Sequence, residues 1–119
     1  MARRPDGALE SEVLGVLWKA QRSLTPAEVR SQLPGNLAYT TVMTVLGRLH
    51  DKGLLRRKER GRAFAYATTM TESELIARRM GDALAATRDP ASALSGFVGG
   101  LSKRDAALLR DILDDLDRK

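Results

Sequence analysis

Residues 37–54 read LAYTTVMTVLGRLHDKGL and have the apolar spacing of a helix that is buried along one side. Four apolar residues recur at i, i+3, i+4 and i+7, the repeat of a single helix face: Val42, Val45, Leu46 and Leu49. A rotation of about 100° per residue places Thr40, Thr44 and Gly47 on the opposite side. The pattern predicts that residues 38–52 form the third helix of the chain.

The segments on either side of this helix predict the element order of a winged helix. Upstream, apolar spacing predicts a first helix over residues 8–20, and Thr25-Pro26-Ala27-Glu28 is a capping box that opens a short second helix. Downstream, residues 54–58 and 63–67 are predicted as two short strands with their turn at Arg60-Gly61. We expect a mostly α-helical protein with a small β-hairpin, in which helical segments follow an N-terminal winged helix-turn-helix.

The composition excludes most catalytic chemistry. The 119 residues include one histidine and no cysteine, which removes disulfides, thiolate metal sites and thiol nucleophiles. We therefore expect no enzyme, no metal site and no cofactor. No apolar run approaches the roughly 20 residues that cross a bilayer, and the N-terminal residues lack the apolar segment of a secretory signal. These features predict a cytoplasmic protein without membrane insertion.

Positive charge is concentrated in the first part of the chain. Residues 1–70 contain 12 basic and 6 acidic residues, whereas residues 71–119 contain 8 and 9. A local basic excess suits a polyanion, because each phosphate that is neutralised releases condensed counterions. General solubility is the alternative explanation of such an excess.

The side of the third helix opposite its apolar face is suited to the major groove of DNA. Its hydroxyl side chains are short enough for close approach, and threonine bonds base edges or phosphates while its methyl packs on thymine. A run of threonines has poor helix propensity, which argues against a plain solvated surface. The predicted contacts to bases and backbone are Tyr39, Thr40, Thr41, Thr44 and Arg48.

The hairpin after this helix is strongly basic. Five cationic residues lie within residues 56–62, and a wing in this position favours contact with phosphates or the minor groove. Arg60 and Arg62 flank the predicted turn and are the predicted wing contacts to DNA.

The chain after Met70 predicts helices whose apolar stripes are too large for so few residues to cover. We therefore predict a winged-helix DNA-binding domain over residues 1–70 and a helical dimerisation domain over residues 71–119. A second copy of the chain is the simplest cover for the stripes, although they could instead fold back on the first domain. The predicted dimerisation residues are Leu75, Met80, Leu84, Leu94, Phe97, Leu109, Ile112, Leu113 and Leu116.

The string of residues 37–49, followed by Lys52-Gly53-Leu54, Gly61-Arg62 and Tyr66, closely resembles the BlaI/MecI/CopY family of bacterial winged-helix repressors. The likeness extends from about Leu9 to Leu116. It implies a homodimer that binds a palindromic operator of the TACA/TGTA type on double-stranded DNA. It also implies repression of genes for β-lactamase, penicillin-binding proteins, copper handling or a related stress response.

Two departures limit this resemblance. Copper-responsive members carry a C-terminal cysteine motif, and this chain has no cysteine. In the penicillinase branch a regulatory peptidase cleaves an Asn-Phe bond, whereas glycine precedes Phe97 in the corresponding stretch here. Cleavage near Phe97 is therefore one hypothesis, and a packed core role for this residue is the other.

Two other kinds of function remain open from the sequence. A winged-helix adaptor would direct its third helix at a protein partner and would bind DNA without sequence preference. An RNA-binding protein would use the basic hairpin on folded or single-stranded RNA, although the sequence lacks an evident aromatic platform for single strands.

Overall fold

The computed structural model describes residues 7–119. The elements in chain order are α1 (Ala8–Ala20), α2 (Pro26–Gln32), α3 (Tyr39–Asp51), β1 (Leu55–Arg60), β2 (Ala63–Thr68), α4 (Glu72–Ala85), α5 (Pro90–Gly99) and α6 (Lys103–Asp117). The chain divides into a first unit that ends at Leu75 and a second unit, Ile76–Lys119. This division lies inside α4, and the domain boundary after residue 70 stays a prediction.

The first two helices begin where local chemistry predicts. The Thr25 hydroxyl accepts a hydrogen bond from the backbone N–H of Glu28 at 3.3 Å, and the Glu28 carboxylate accepts one from the Thr25 N–H at 2.9 Å. Pro26 occupies the first turn, where its missing N–H leaves no helical hydrogen bond unmade. The capping box of α2 and the residue bounds predicted for α1 are both confirmed.

The core of the first unit is an apolar cluster drawn from every helix and strand of that unit. The inward face of α3 lies at its centre, and Val42, Leu46 and Leu49 are fully buried. The whole cluster consists of Val13, Leu14, Leu17, Leu24, Val29, Leu33, Val42, Val45, Leu46, Leu49, Leu54, Leu55, Tyr66 and Leu75. Because α3 buries this face, its hydroxyl-bearing face is left in solvent.

Strands β1 and β2 form an antiparallel hairpin whose register corrects the predicted turn. Arg60 pairs with Ala63, so Arg60 is the last residue of β1 and the turn consists of Gly61 and Arg62. Gly61 has φ +64°, a left-handed conformation that glycine adopts without strain. At the base of the hairpin, Leu24 and Tyr66 exchange backbone hydrogen bonds of 2.9 and 2.7 Å, which tie the hairpin to the segment before α2.

The second unit contains most of α4 together with α5 and α6. Asp89 caps α5 through the N–H of Ser92, and Ser102 caps α6 through the N–H of Asp105, both at 3.1 Å. Both α5 and α6 lie entirely within the described residues, and neither helix contains a buried residue. Within residues 7–119, no helix has the length and apolar character needed to span a membrane.

Candidate nucleic-acid interface

The outward face of α3 carries the side chains that the sequence predicts to read DNA. Tyr39, Thr40 and Thr41 form its first turn and are exposed, as are Thr44 and Arg48 farther along. The structure thus brings the five predicted α3 residues onto one accessible helix. Met43, which is 46% exposed, adds an apolar group to this surface.

Thr44 makes a hydrogen bond that determines which of its groups is available. Its hydroxyl donates to the backbone carbonyl of Thr40 at 2.9 Å, one turn back along the helix. The proton is therefore engaged within α3, while the oxygen lone pairs and the methyl group remain free to meet a partner. Such a side chain accepts a hydrogen bond from a base amino group or packs its methyl on a thymine.

The start of α3 has no side-chain cap. The residue before the helix is Ala38, so no side chain caps the first-turn N–H groups, and the first turn contains no acidic residue. Uncapped amides and the positive end of the helix dipole favour a phosphate at this position. By contrast, the Thr25 hydroxyl caps the first turn of α2 by accepting from the N–H of Glu28.

Gly47 leaves the middle of the exposed face of α3 without a side chain. A Cβ built on this residue meets no atom within 4 Å, so packing inside the protein does not require glycine here. Glycine is less favourable than alanine in a helix by about 1 kcal/mol. Because Gly47 has no side chain, the floor of a DNA groove could approach the backbone of α3 more closely at this position.

The predicted wing carries its cations in different environments. Arg62 lies in the turn and is exposed. Arg57 stacks over the ring of Phe64 with 4.3 Å between the guanidinium carbon and the ring centroid. Arg60 donates to Glu28 of α2 at 2.8 Å, and its side chain remains half exposed. The wing is thus bonded to the helix-turn-helix through one of the two arginines predicted to bind DNA.

Glu28 is the focus of this electrostatic cluster. Its pKa is lowered from 4.5 to about 2, first by the backbone hydrogen bond from Thr25 and further by the Thr25 hydroxyl, Arg22 and Arg60. The Arg22 guanidinium approaches the other carboxylate oxygen at 3.4 Å. Glu28 therefore stays ionised at every pH at which the protein would meet DNA.

Sequence reasoning missed two residues near the predicted interface. Arg30 donates from Nε to the carbonyl of Leu37 at 2.7 Å, which places an exposed guanidinium beside the chain that enters α3. Glu28 was recognised as a helix cap but not as the partner of Arg60. The capping box signals the first role, whereas the second joins residues 32 apart in sequence and has no local signature.

The predicted dimerisation residues divide into three groups by their exposure. Leu75 is only 3% exposed and belongs to the core of the first unit, so its assignment to a dimer surface is wrong. Leu84 and Leu109 are half-buried. The remaining residues are between 47% and 59% exposed in the single chain: Met80, Leu94, Phe97, Ile112, Leu113 and Leu116. Phe97 is thus not packed into a core of its own chain.

Comparisons with known proteins agree with the sequence resemblance. Residues 7–115 match the penicillinase repressor family. The transcriptional regulator BlaI of Mycobacterium tuberculosis is 40% identical over 116 residues, which cover 93% of this chain and 84% of that protein. The penicillinase repressor of Bacillus licheniformis is 36% identical over 69 residues, which cover 56% of this chain and 53% of that protein.

Two solved structures share the fold. The transcriptional regulator PcaV of Streptomyces coelicolor aligns with a TM-score of 0.50 and 23% identity, covering 93% of this chain and 74% of its own. BpsR of Bordetella bronchiseptica aligns with a TM-score of 0.50 and 20% identity, covering 97% and 79%. The expected winged-helix class is confirmed. The chain therefore belongs to the penicillinase repressor family, and it is a winged-helix transcriptional regulator rather than an enzyme.

Proposed function

We propose that the chain represses transcription as a homodimer bound to a palindromic operator of the TACA/TGTA type. The observation that carries this proposal is the outward face of α3, which combines an uncapped start, short hydroxyl side chains and a central glycine. The regulated genes would encode β-lactamase, a penicillin-binding protein or a related stress response. Because the DNA of a bacterial cell lies in its cytoplasm, the repressor would act there.

Each part of the interface has a separate task in this proposal. Tyr39, Thr40 and Thr41 bind at the edge of the groove, where the start of α3, which has no side-chain cap, takes a phosphate. Thr44 reads a base through its lone pairs and methyl group, and Arg48 extends the contact along the helix. Arg60 and Arg62 hold the DNA backbone from the wing, which adds affinity without sequence preference.

The second unit supplies the homodimer. Its exposed apolar residues on α5 and α6 are too numerous for a stable solvent-facing surface of this size. A second copy buries the same face on both partners, and the pair then presents two α3 helices to two half-sites. Two linked half-sites bind more tightly than either alone by a factor of about 10² to 10⁴.

Loss of the dimer is the proposed route to induction. Cleavage by a regulatory peptidase beside Phe97 would cut α5 within the proposed dimer surface and separate the half-sites. Incubation with a candidate peptidase should yield a fragment ending near residue 96 and should release operator DNA. A Phe97→Ala variant that is cut and released at the same rate would contradict this assignment.

Fluorescence anisotropy tests the central proposal. The chain is titrated against a labelled TACA/TGTA palindrome and a scrambled duplex of equal length, over a range of salt concentrations. A preference of roughly a thousandfold or more, with two chains per palindrome, is expected for an operator. Equal binding to both duplexes would contradict it, and stronger binding to a protein partner or to folded RNA would identify the adaptor or RNA-binding function instead.

Thr44 provides the sharpest residue-level check. Thr44→Ala should reduce the preference for the palindrome while leaving affinity for the scrambled duplex unchanged. Arg60→Ala should weaken binding to both duplexes and reduce the slope of log affinity against log salt by about 1. Equal losses on the two duplexes for Thr44→Ala would show that this residue does not read bases.

A further inference from the structure

We infer that Glu28 is a positioning residue for DNA binding, which holds the wing against the helix-turn-helix through Arg60. This inference rests on the proposed function, because it assigns Glu28 a part in operator binding. Glu28 itself is an acid and would repel a phosphate, so it acts through the arginine and not by contact with DNA.

The far half of the hairpin needs an attachment of this kind. A two-stranded hairpin is at best marginally stable on its own in water. The backbone pair of Leu24 with Tyr66 fixes the base, whereas Arg60 and Ala63 pair three steps farther out along the ladder. Residues 56–60 of β1 are exposed, and on β2 beyond Tyr66 the small Ala65 is buried, so little buried side chain anchors this half.

Glu28 is suited to be the fixed end of the attachment. Its Oε1 accepts from the Thr25 N–H at 2.9 Å, the Thr25 hydroxyl at 3.1 Å and Arg60 Nη1 at 2.8 Å. Arg22 holds Oε2 at 3.4 Å. A carboxylate restrained by its own helix cap has little freedom left to lose when it binds the wing, and a charge-assisted hydrogen bond is stronger than a neutral one.

The geometry also leaves Arg60 available to DNA. Glu28 is bonded to one terminal nitrogen of a guanidinium that has five N–H donors, and half of the side chain is exposed. One edge of the guanidinium can therefore remain on Glu28 while another meets a phosphate. Glu28 thus fixes where the wing offers its positive charge, with Arg22 keeping the three-residue cluster net positive.

A double-mutant cycle on operator binding tests this assignment. Glu28→Gln keeps an oxygen that can cap α2 but removes the charge that holds Arg60. Affinity for the palindrome should fall by about tenfold in Glu28→Gln, the size expected of one charge-assisted hydrogen bond. Glu28→Gln should have no further effect in an Arg60→Gln background, because the two residues act through one contact.

Glu74 offers a matched control. It forms the same capping box with Thr71, at 3.0 and 3.1 Å, and its carboxylate is not bonded to the wing in the described structure. Glu74→Gln should bind the palindrome as tightly as the wild type. Unchanged or tighter binding by Glu28→Gln would overturn the inference, as would a second tenfold loss when Glu28→Gln is added to Arg60→Gln.

A measurement without DNA separates this inference from the proposed function. Backbone amide exchange at residues 59–63 should be faster in Glu28→Gln than in the wild type or in Glu74→Gln, since the far half of the hairpin has lost its attachment. A wild type without preference for the palindrome would refute the operator proposal alone. Equal exchange in all three proteins would refute the attachment, whatever the DNA result.

Discussion

The two units of the chain differ in how far their apolar side chains are buried. The first unit buries its aliphatic residues in one cluster and leaves hydroxyls and cations outside. In the second unit, α5 and α6 contain no buried residue, and side chains such as Phe97 and Leu116 are more than half exposed. The first unit therefore covers its own apolar residues, whereas the second leaves an apolar face that a second copy is proposed to cover. The proposed division between a DNA-reading unit and an assembly unit rests on this difference.

The largest expected effect comes from placing a charge on the open apolar face. Leu113→Glu should convert the proposed dimer to a monomer, because two buried carboxylates would face an apolar surface without partners. Operator affinity should fall by about 100-fold or more as the half-sites become independent. Sedimentation and anisotropy measure the two changes, and Asp114→Ala is the control on the polar side of α6. A Leu113→Glu protein that stays dimeric would place the interface elsewhere.

Truncation of leucines in the two units should separate folding from assembly. Leu46→Ala empties a fully buried position in the first unit and should lower the free energy of unfolding by about 2–5 kcal/mol. Leu113→Ala, measured where the chain is monomeric, should lower it by less than about 0.5 kcal/mol. Urea titrations at two protein concentrations make the comparison. Equal losses at low concentration would mean that the second unit has a core of its own.

Local sequence signals predicted most of the first unit. The apolar repeat of residues 42–49 defines the buried side of α3. The opposite side of the helix is therefore the one that is open to a partner. The Thr25–Glu28 capping box fixes the start of α2, because both of its hydrogen bonds lie within one turn. These features need no information from distant parts of the chain, and the structure confirms both elements.

Long-range contacts account for what the sequence did not reveal. The hairpin turn was predicted one residue early, because its register depends on pairing across the strands and not on Gly61 alone. Leu75 was assigned to the dimer surface since it continues the stripe of α4, yet that helix passes from one unit to the other. The Glu28–Arg60 pair likewise joins two distant segments, so the local sequence around either residue does not predict the contact.

A smaller effect is expected at two glycines of the first unit. Gly47 on α3 and Gly15 on α1 both have room for a Cβ, with no atom within 4 Å. Replacing either with alanine should raise the free energy of unfolding by up to about 1 kcal/mol through helix propensity. Only Gly47→Ala should also weaken operator binding, by about tenfold, because its methyl group would stand between α3 and the groove. Equal operator affinity in both variants would remove Gly47 from the interface.

The two units should also differ in their response to acid. The pKa of Glu28 in the first unit falls from 4.5 to about 2, chiefly through the Thr25 backbone hydrogen bond, and that of Asp89 in the second is lowered by the Ser92 side chain and backbone. A carboxyl group whose pKa is lowered by folding stabilises the folded state above its unfolded pKa, and this contribution is lost as the pH falls through the folded pKa.

Stability should therefore be constant with respect to Glu28 above about pH 6 and should decline from about pH 4.5 towards pH 2. In Glu28→Gln this part of the decline should be missing, because a neutral amide does not titrate, whereas in Asp89→Asn the Glu28 contribution should persist. Urea unfolding at pH 2.5, 3.5, 4.5 and 7, followed by the fluorescence of Trp18, reports on the first unit, where this residue lies. A Glu28→Gln protein with the same acid dependence as the wild type would show that Glu28 is not held by Thr25, Arg22 and Arg60 in solution. Such a result would also contradict the inference that Glu28 holds the wing in place through Arg60.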